Sequence, residues 1–176
     1  MRERTITVFG SGTAKEGSRE FKMAYQLGYR LAQAGFTVAN GGYGGTMLAA
    51  AQGAKAAGGR TVGVTTDDFP GSVKNPFIDR EIRKPAWRER LHRLIDLGDG
   101  FAVLDGGTGT LAELLLVWEM GNKNFHKKPV AVLGRRMKSA IKALKRNPEV
   151  KVPSGFRFVS NSKAAVDYLV RAAIRA

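Results

Sequence analysis

The chain has 176 residues, no cysteine and two histidines, His92 and His126. That excludes a disulfide framework and a thiolate metal site, and leaves too few imidazoles for a typical zinc site. A hydrophobic share of 43% suits a soluble domain, while a net charge of +14 draws anions: nucleotides, nucleic acid or acidic surfaces.

Strand-like and helix-like segments alternate. "TITVFG" (5–10) reads as a buried strand, entered directly from the charged start "MRER" without the apolar core of a signal peptide. No apolar run reaches the length of a membrane span, so a cytoplasmic protein is the expectation. From Ser18 to Ala34, Phe21, Ala24, Leu27, Gly28 and Leu31 recur at helical spacing, with Ser18 placed to cap and Gly35 to end the helix. "FTVAN" (36–40) is a second strand. "GGYGG" and an alanine-rich helix from about Thr46 to Ala57 follow, then a strand "TVGV" (61–64).

Residues 65–84 read as one long connection, a length usually functional or mobile. Pro85 suits the first turn of a helix running to about Leu97. "GFAVL" (100–104) is a strand that breaks into "DGGTGT" and a helix from near Thr108. "PVAVLG" (129–134) is another strand. A basic helix or loop, a short strand "FRFV" (156–159) and an amphipathic helix from about Ser162 complete the chain, with Val166, Leu169, Val170 and Ala173 on one face of that helix. Repeated strand–helix units with continuously apolar strands predict a single-domain, doubly wound, Rossmann-like α/β fold with a mostly parallel sheet.

In such folds ligands bind beyond the carboxyl ends of the strands. Three glycine-rich segments fall there: "GSG" (10–12), "NGGYGG" (40–45) and "DGGTGT" (105–110). Glycine permits close backbone approach, and a helix amino end suits phosphate. The candidate anion-binding residues are Gly10, Ser11, Gly41, Gly42, Gly44, Gly45, Gly106, Gly107, Thr108, Gly109 and Thr110. The dinucleotide fingerprint is not met after the first strand, and no Walker lysine follows any turn.

Two charges stand out on apolar helices. Glu113 follows Gly109 and Thr110 by four and three residues, so it shares their face about one turn, roughly 5.4 Å, deeper. Its neighbours Leu111, Leu114, Leu115, Leu116, Val117 and Trp118 leave little solvent face. A carboxylate there is costly unless paired or bound to something. Stepping about 100° per residue from Trp87, the stripe Leu97, Leu94, Trp87, Leu91 and Ile95 contains Arg90. That arginine either snorkels or meets a buried anion, a substrate phosphate or Glu113 itself. His92 lies on the polar face, and Tyr43 sits within a glycine loop where it can touch a ligand or pack locally.

"DGGTGTLAE" resembles the PGGxGTxxE motif of the LOG (Lonely Guy) proteins, often mislabelled lysine decarboxylases. "NGGYGGTMLAAAQGA", "RERLHRLIDLGDGFAVL" and "VWEMGNKNFHKKPVAVLG" resemble further segments of that family, and the likeness covers about residues 5–134. It implies a Rossmann-like homodimer that splits nucleoside 5′-monophosphates, cytokinin nucleotides or AMP, into free base and ribose 5-monophosphate, with no metal or cofactor. It implies Glu113 and Arg90 as the catalytic pair and residues 106–110 as the phosphate turn. In the glycosidic chemistry expected of such a pair, Arg90 holds the phosphate or ribose and keeps Glu113 ionised. Two positions depart from the family pattern. Asp105 replaces the proline, placing negative charge near the phosphate unless it points away or pairs with a base, and Leu91 replaces a lysine common after the arginine. A non-catalytic nucleotide or cofactor carrier on this fold is the alternative. A nucleic-acid binder, motivated by the charge, is less favoured, because aromatics are not interleaved in the basic stretch after residue 120.

Overall fold

The computed structural model describes residues 3–175, and of 173–175 the backbone alone. Seven strands form one all-parallel sheet: β1 (Thr5–Phe9), β2 (Thr37–Asn40), β3 (Thr61–Thr66), β4 (Arg80–Lys84), β5 (Gly100–Val103), β6 (Val130–Val132) and β7 (Phe156–Phe158). Their spatial order is β4-β3-β2-β1-β5-β6-β7. The chain winds outward from β1 to β4, then returns to β5 on the other side of β1. The switch point therefore lies between β1 and β5, where a parallel α/β sheet opens a crevice.

The helices divide between the faces. α1 (Arg19–Gln33), α2 (Thr46–Ala56) and α6 (Ser162–Arg175) cover one, packing Phe21, Leu27, Leu31, Ala50 and Leu169 against Ile6, Val8 and Leu104. α3 (Trp87–Leu97), α4 (Thr108–Asn122) and α5 (Arg135–Leu144) cover the other, packing Leu94, Ile95, Leu114, Trp118 and Ile141 against Phe9, Phe101 and Val103. Successive residues of β5 enter opposite cores, which is why its sequence is apolar without alternation. Each fully buried leucine or phenylalanine contributes about 1.5–3 kcal/mol.

Local signals hold at α1. Ser18 accepts a hydrogen bond from the Phe21 amide at 3.2 Å, and Gly35 takes φ +82° just past the helix end. α1 and α2 approach closely through two glycines. A Cβ on Gly28 would stand 1.9 Å from the Ala50 carbonyl oxygen, and one on Gly53 2.0 Å from that of Tyr25.

The expectation for residues 65–84 needs correction. Thr65 and Thr66 extend β3, and Arg80–Lys84 form the edge strand β4, registered from Val62↔Arg80 to Thr66↔Lys84. Only Ile82 and Lys84 of "REIRK" are even half-buried. An edge strand with one partner tolerates charges that disguise it in sequence. Pro85 also lies outside its helix, which starts at Trp87 behind an extended Ala86. Trp87, placed on the buried stripe, is 41% exposed because it sits at the helix tip before α3 reaches the sheet. The basic segment after β6 is the helix α5. In α6, Val166 and Leu169 are buried and Val170 is half-buried. The side chain of Ala173 lies outside the described residues. No helix among the described residues is long and apolar enough to cross a membrane.

Candidate active site

The three glycine segments meet at the switch point and are stitched through their backbones. The Ser11 amide donates to the Asp105 carbonyl (3.1 Å), and the Thr46 amide donates to the Ser11 carbonyl (2.8 Å). The Thr110 hydroxyl donates to the Gly10 carbonyl at 3.0 Å, so Thr110 spends its side chain on the scaffold. The Ser11 hydroxyl accepts from the Thr13 amide. Gly42 donates its amide to the Asn40 side chain (2.8 Å), fixing the second loop. Gly45 requires glycine twice: its φ is +63°, and a Cβ would stand 2.2 Å from the Ser11 carbonyl oxygen. Gly44 lies exposed on the lip of this loop.

Residues 106–110 divide in two. Gly106 is packed, since its Cβ would fall 2.1 Å from the Thr110 hydroxyl oxygen. Gly107, Thr108 and Gly109 are exposed, and a Cβ on Gly107 or Gly109 would meet nothing within 4 Å. No side chain caps α4. Its first amides therefore face open space, with the partial positive charge of a helix amino end.

Asp105 points away from this turn. Its carboxylate accepts from the amides of Arg135 (3.1 Å) and Met137 (3.0 Å), the first turn of α5. The acid that replaces the motif's proline thus serves as a long-range helix cap.

Beneath the turn lies the outlying pair. Arg90 is 5% exposed. Its Nε donates to the Val64 carbonyl (2.8 Å) and its Nη2 to the Gly41 carbonyl (3.2 Å). Nη1 stands 4.0 Å from Glu113 Oε1, an ion pair at its outer limit rather than a hydrogen bond. Of the two anions weighed for Arg90, the chain supplies Glu113. Gly41 makes the seat possible, because a Cβ there would lie 1.9 Å from Arg90 Nη2. The Tyr43 and Phe69 rings flank the guanidinium, with centroids 5.5 and 5.6 Å from Cζ. The Tyr43 hydroxyl accepts from the Thr66 amide (2.9 Å), which makes its role partly structural. Phe69 lies on the 67–79 loop, and no pattern in the sequence marks it. An isolated aromatic beside a proline carries no signal until the loop folds over Arg90. His92 is exposed, as its polar face predicts.

Glu113 accepts no hydrogen bond among the described residues, and its side chain is only 14% exposed. Burial pushes its pKa up to about 7, and the Arg90 charge offsets only part of that rise. The expectation that Arg90 keeps Glu113 ionised is corrected to this extent: near neutrality the carboxyl is poised between its two forms. Burial in turn lowers the Arg90 pKa, against the pull of Glu113 and Tyr43. An ionisable group without hydrogen bonds, held beside one fixed cation beneath the strand ends, is suited to proton transfer or to stabilising positive charge.

Comparison with known proteins agrees with the motif. The profile of the SLOG cluster4 family, a LOG-like group, matches residues 3–154. The chain belongs to that family. An uncharacterized protein of Archaeoglobus fulgidus is 30% identical over 133 residues, 76% of this chain and 85% of the relative. A Mycobacterium tuberculosis protein named cytokinin riboside 5′-monophosphate phosphoribohydrolase is 34% identical over 114 residues, 64% of this chain. The match spans 61% of that relative's own length. Among solved structures, the molybdenum cofactor binding protein of Rippkaea orientalis superposes with a TM-score of 0.76 at 27% identity, covering 99% of each chain.

Proposed function

We propose that this SLOG protein is a nucleoside 5′-monophosphate phosphoribohydrolase, of cytokinin riboside monophosphate or AMP type. The observation that carries the reading is Glu113: a carboxylate free of hydrogen bonds, beside Arg90, one helical turn beneath the uncapped start of α4. The name of the mycobacterial relative supports it.

The exposed amides at 107–109 hold the 5′-phosphate, which sets the ribose over Glu113. As the N-glycosidic bond breaks, its electron pair leaves with the base and positive charge develops on the ribose. The ionised carboxylate stabilises that charge and accepts a proton from the attacking water, whose oxygen bonds to C1′. The departing base takes up a proton. A carboxyl titrating near the working pH suits a general base. Arg90 acts as a positioning residue: its other two nitrogens are committed to Val64 and Gly41, so it holds Glu113 and the glycine loop rather than offering a fork to phosphate. A second copy of this chain over Leu115, which α4 leaves 41% exposed, is the homodimer expected of this reading, and light scattering tests it.

Incubation with AMP, followed by chromatography for adenine, tests the activity. The similarity to a molybdenum cofactor binding protein favours a second reading, a carrier that binds without cleaving. Nucleotide binding with no base released, even at high protein concentration, decides for the carrier.

A further inference from the structure

Two aromatic rings stand at the end of the site opposite the phosphate turn. The turn follows β5, whereas Tyr43 lies three residues past β2 and Phe69 three residues past β3. The sheet order β3-β2-β1-β5 sets them apart along one edge. Glu113 and Arg90 lie between and join the two ends. Glu113 belongs to the helix that the turn opens, and Arg90 Nη1 is 4.0 Å from it. Arg90 Cζ is in turn 5.5 Å from the Tyr43 ring and 5.6 Å from the Phe69 ring. The two centroids are 5.9 Å apart, so the three centres form a near-equilateral triangle. Both rings therefore lie on one side of the guanidinium.

The loop that carries Phe69 is restrained at three points. Asp68 accepts from the Trp87 amide at 2.6 Å, which ties it to the start of α3. The Ser72 amide donates to the Phe69 carbonyl at 3.1 Å across Pro70 and Gly71, whose φ of +79° suits the third place of a type II turn. Buried Asn75 donates its amide to the Gly42 carbonyl and its side-chain nitrogen to the Tyr43 carbonyl, both at 2.9 Å. Yet Phe69 remains 37% exposed. A phenyl ring fixed in this way leaves apolar surface open to water, and a planar partner laid on it would cover that surface.

The shape of a nucleotide matches this order. Phosphate and base leave the ribose from opposite sides, through C5′ on C4′ and through the glycosidic nitrogen on C1′. A 5′-phosphate on the amides of 107–109, with its ribose at Glu113, directs the base away from β5 and toward the ends of β2 and β3. The rings waiting there have little hydrogen bonding to offer. Phe69 has no polar atom on its side chain, and the Tyr43 hydroxyl is committed to the backbone of Thr66. Recognition at this end is by the face of the base rather than its edge.

We infer that Phe69, backed by Tyr43, is the ring on which the base stacks, and that it sets a preference for purine over pyrimidine nucleoside monophosphates. The inference rests on the reading of residues 107–109 as the seat of the 5′-phosphate. The two fused rings of a purine overlap a phenyl face more fully than the single ring of a pyrimidine.

Calorimetric titration with AMP, CMP and ribose 5-phosphate tests it, in a Glu113→Gln background that keeps the ligands intact. AMP is expected to bind about tenfold tighter than CMP. Phe69→Leu keeps an apolar side chain without a ring. It is expected to weaken AMP about tenfold and to bring AMP and CMP within about threefold of each other. Ribose 5-phosphate, which has no base, is held as before. Phe69→Trp retains the purine preference, and Phe125→Leu, at an exposed ring past the end of α4, changes none of the three affinities. Equal weakening of AMP and ribose 5-phosphate by Phe69→Leu would make Phe69 a prop for Arg90 and overturn the inference. So would an AMP affinity that Phe69→Leu leaves unchanged, or equal binding of AMP and CMP with Phe69 intact. Adenine release from AMP by the unsubstituted chain is measured separately. Its absence, with the Phe69 effect intact, removes the hydrolase reading and leaves the base site standing; its presence without a Phe69 effect does the reverse.

Discussion

Two carboxylates bracket the glycine turn, and the chain treats them in opposite ways. Asp105 accepts two backbone hydrogen bonds from α5. Glu113, eight residues on, accepts none and faces a single guanidinium at 4.0 Å. A carboxylate whose lone pairs are filled by backbone amides is structural: it fixes a helix start and has little left to offer a ligand. A buried carboxylate kept empty costs stability and is retained where it does chemistry. The difference separates a scaffold acid from a working one at the same strand end, although the motif alone marks both positions.

Substitutions at each acid sharpen that contrast. The largest effect is expected at the working one: Glu113→Gln lowers adenine release from AMP by about a thousandfold, some 4 kcal/mol, while nucleotide affinity holds. Rapid-quench turnover beside equilibrium binding measures both, and a Gln variant that still turns over would break the contrast outright.

Next comes Arg90→Met, which removes the cation and strands the Val64 and Gly41 carbonyls. A loss of about 3 kcal/mol in urea unfolding is expected, with the Glu113 pKa rising further. An unchanged midpoint would show that the guanidinium is dispensable.

The third effect is on pH dependence. The folded pKa of Glu113, about 7, lies above its ordinary value of 4.5. Between these values the folded chain keeps a proton that the unfolded chain has released. The corresponding stability is full below about pH 4.5 and is lost as pH rises through 7. Glu113→Gln has no such proton to lose, so it gains on the unsubstituted chain by about 1–3 kcal/mol from pH 5 to pH 8 in paired thermal melts. Parallel pH curves for the two chains would place Glu113 at an ordinary value. Adenine release, by contrast, rises with pH through about 7 as the base form fills.

The smallest effect belongs to the scaffold acid. Asp105→Ala costs about 1 kcal/mol, as the loss of a helix cap does, and leaves adenine release from AMP within about threefold. A deep loss of activity there would give Asp105 a second role.

Much of this arrangement is legible in the sequence, for local reasons. Apolar runs of strand length, Ser18 before a helical stripe and glycines after strands are read within a few residues of one another. Arg90 and Glu113 declare themselves because each breaks an apolar pattern. What sequence spacing does not carry is whatever depends on distant partners. β4 is hidden because one neighbouring strand, not its own side chains, makes it a strand. Phe69 reaches Arg90 only through a loop closure. Asp105 finds its amides thirty and thirty-two residues away. The poise of Glu113 comes from how completely its surroundings exclude water.

The seat of Arg90 against Gly41 limits how this chain can diverge. With a Cβ on residue 41 placed 1.9 Å from Nη2 and 2.7 Å from the Met47 sulfur, any side chain there forces the end of Arg90 to shift from its place at the Gly41 carbonyl. A sequence that acquires alanine at 41 must turn the guanidinium aside, and one that loses the arginine frees space that a larger residue at 41 can fill. The two positions, forty-nine residues apart, are expected to change together or not at all. A glycine at 41 is therefore a mark, readable in any relative's sequence, of whether the buried cation is still present.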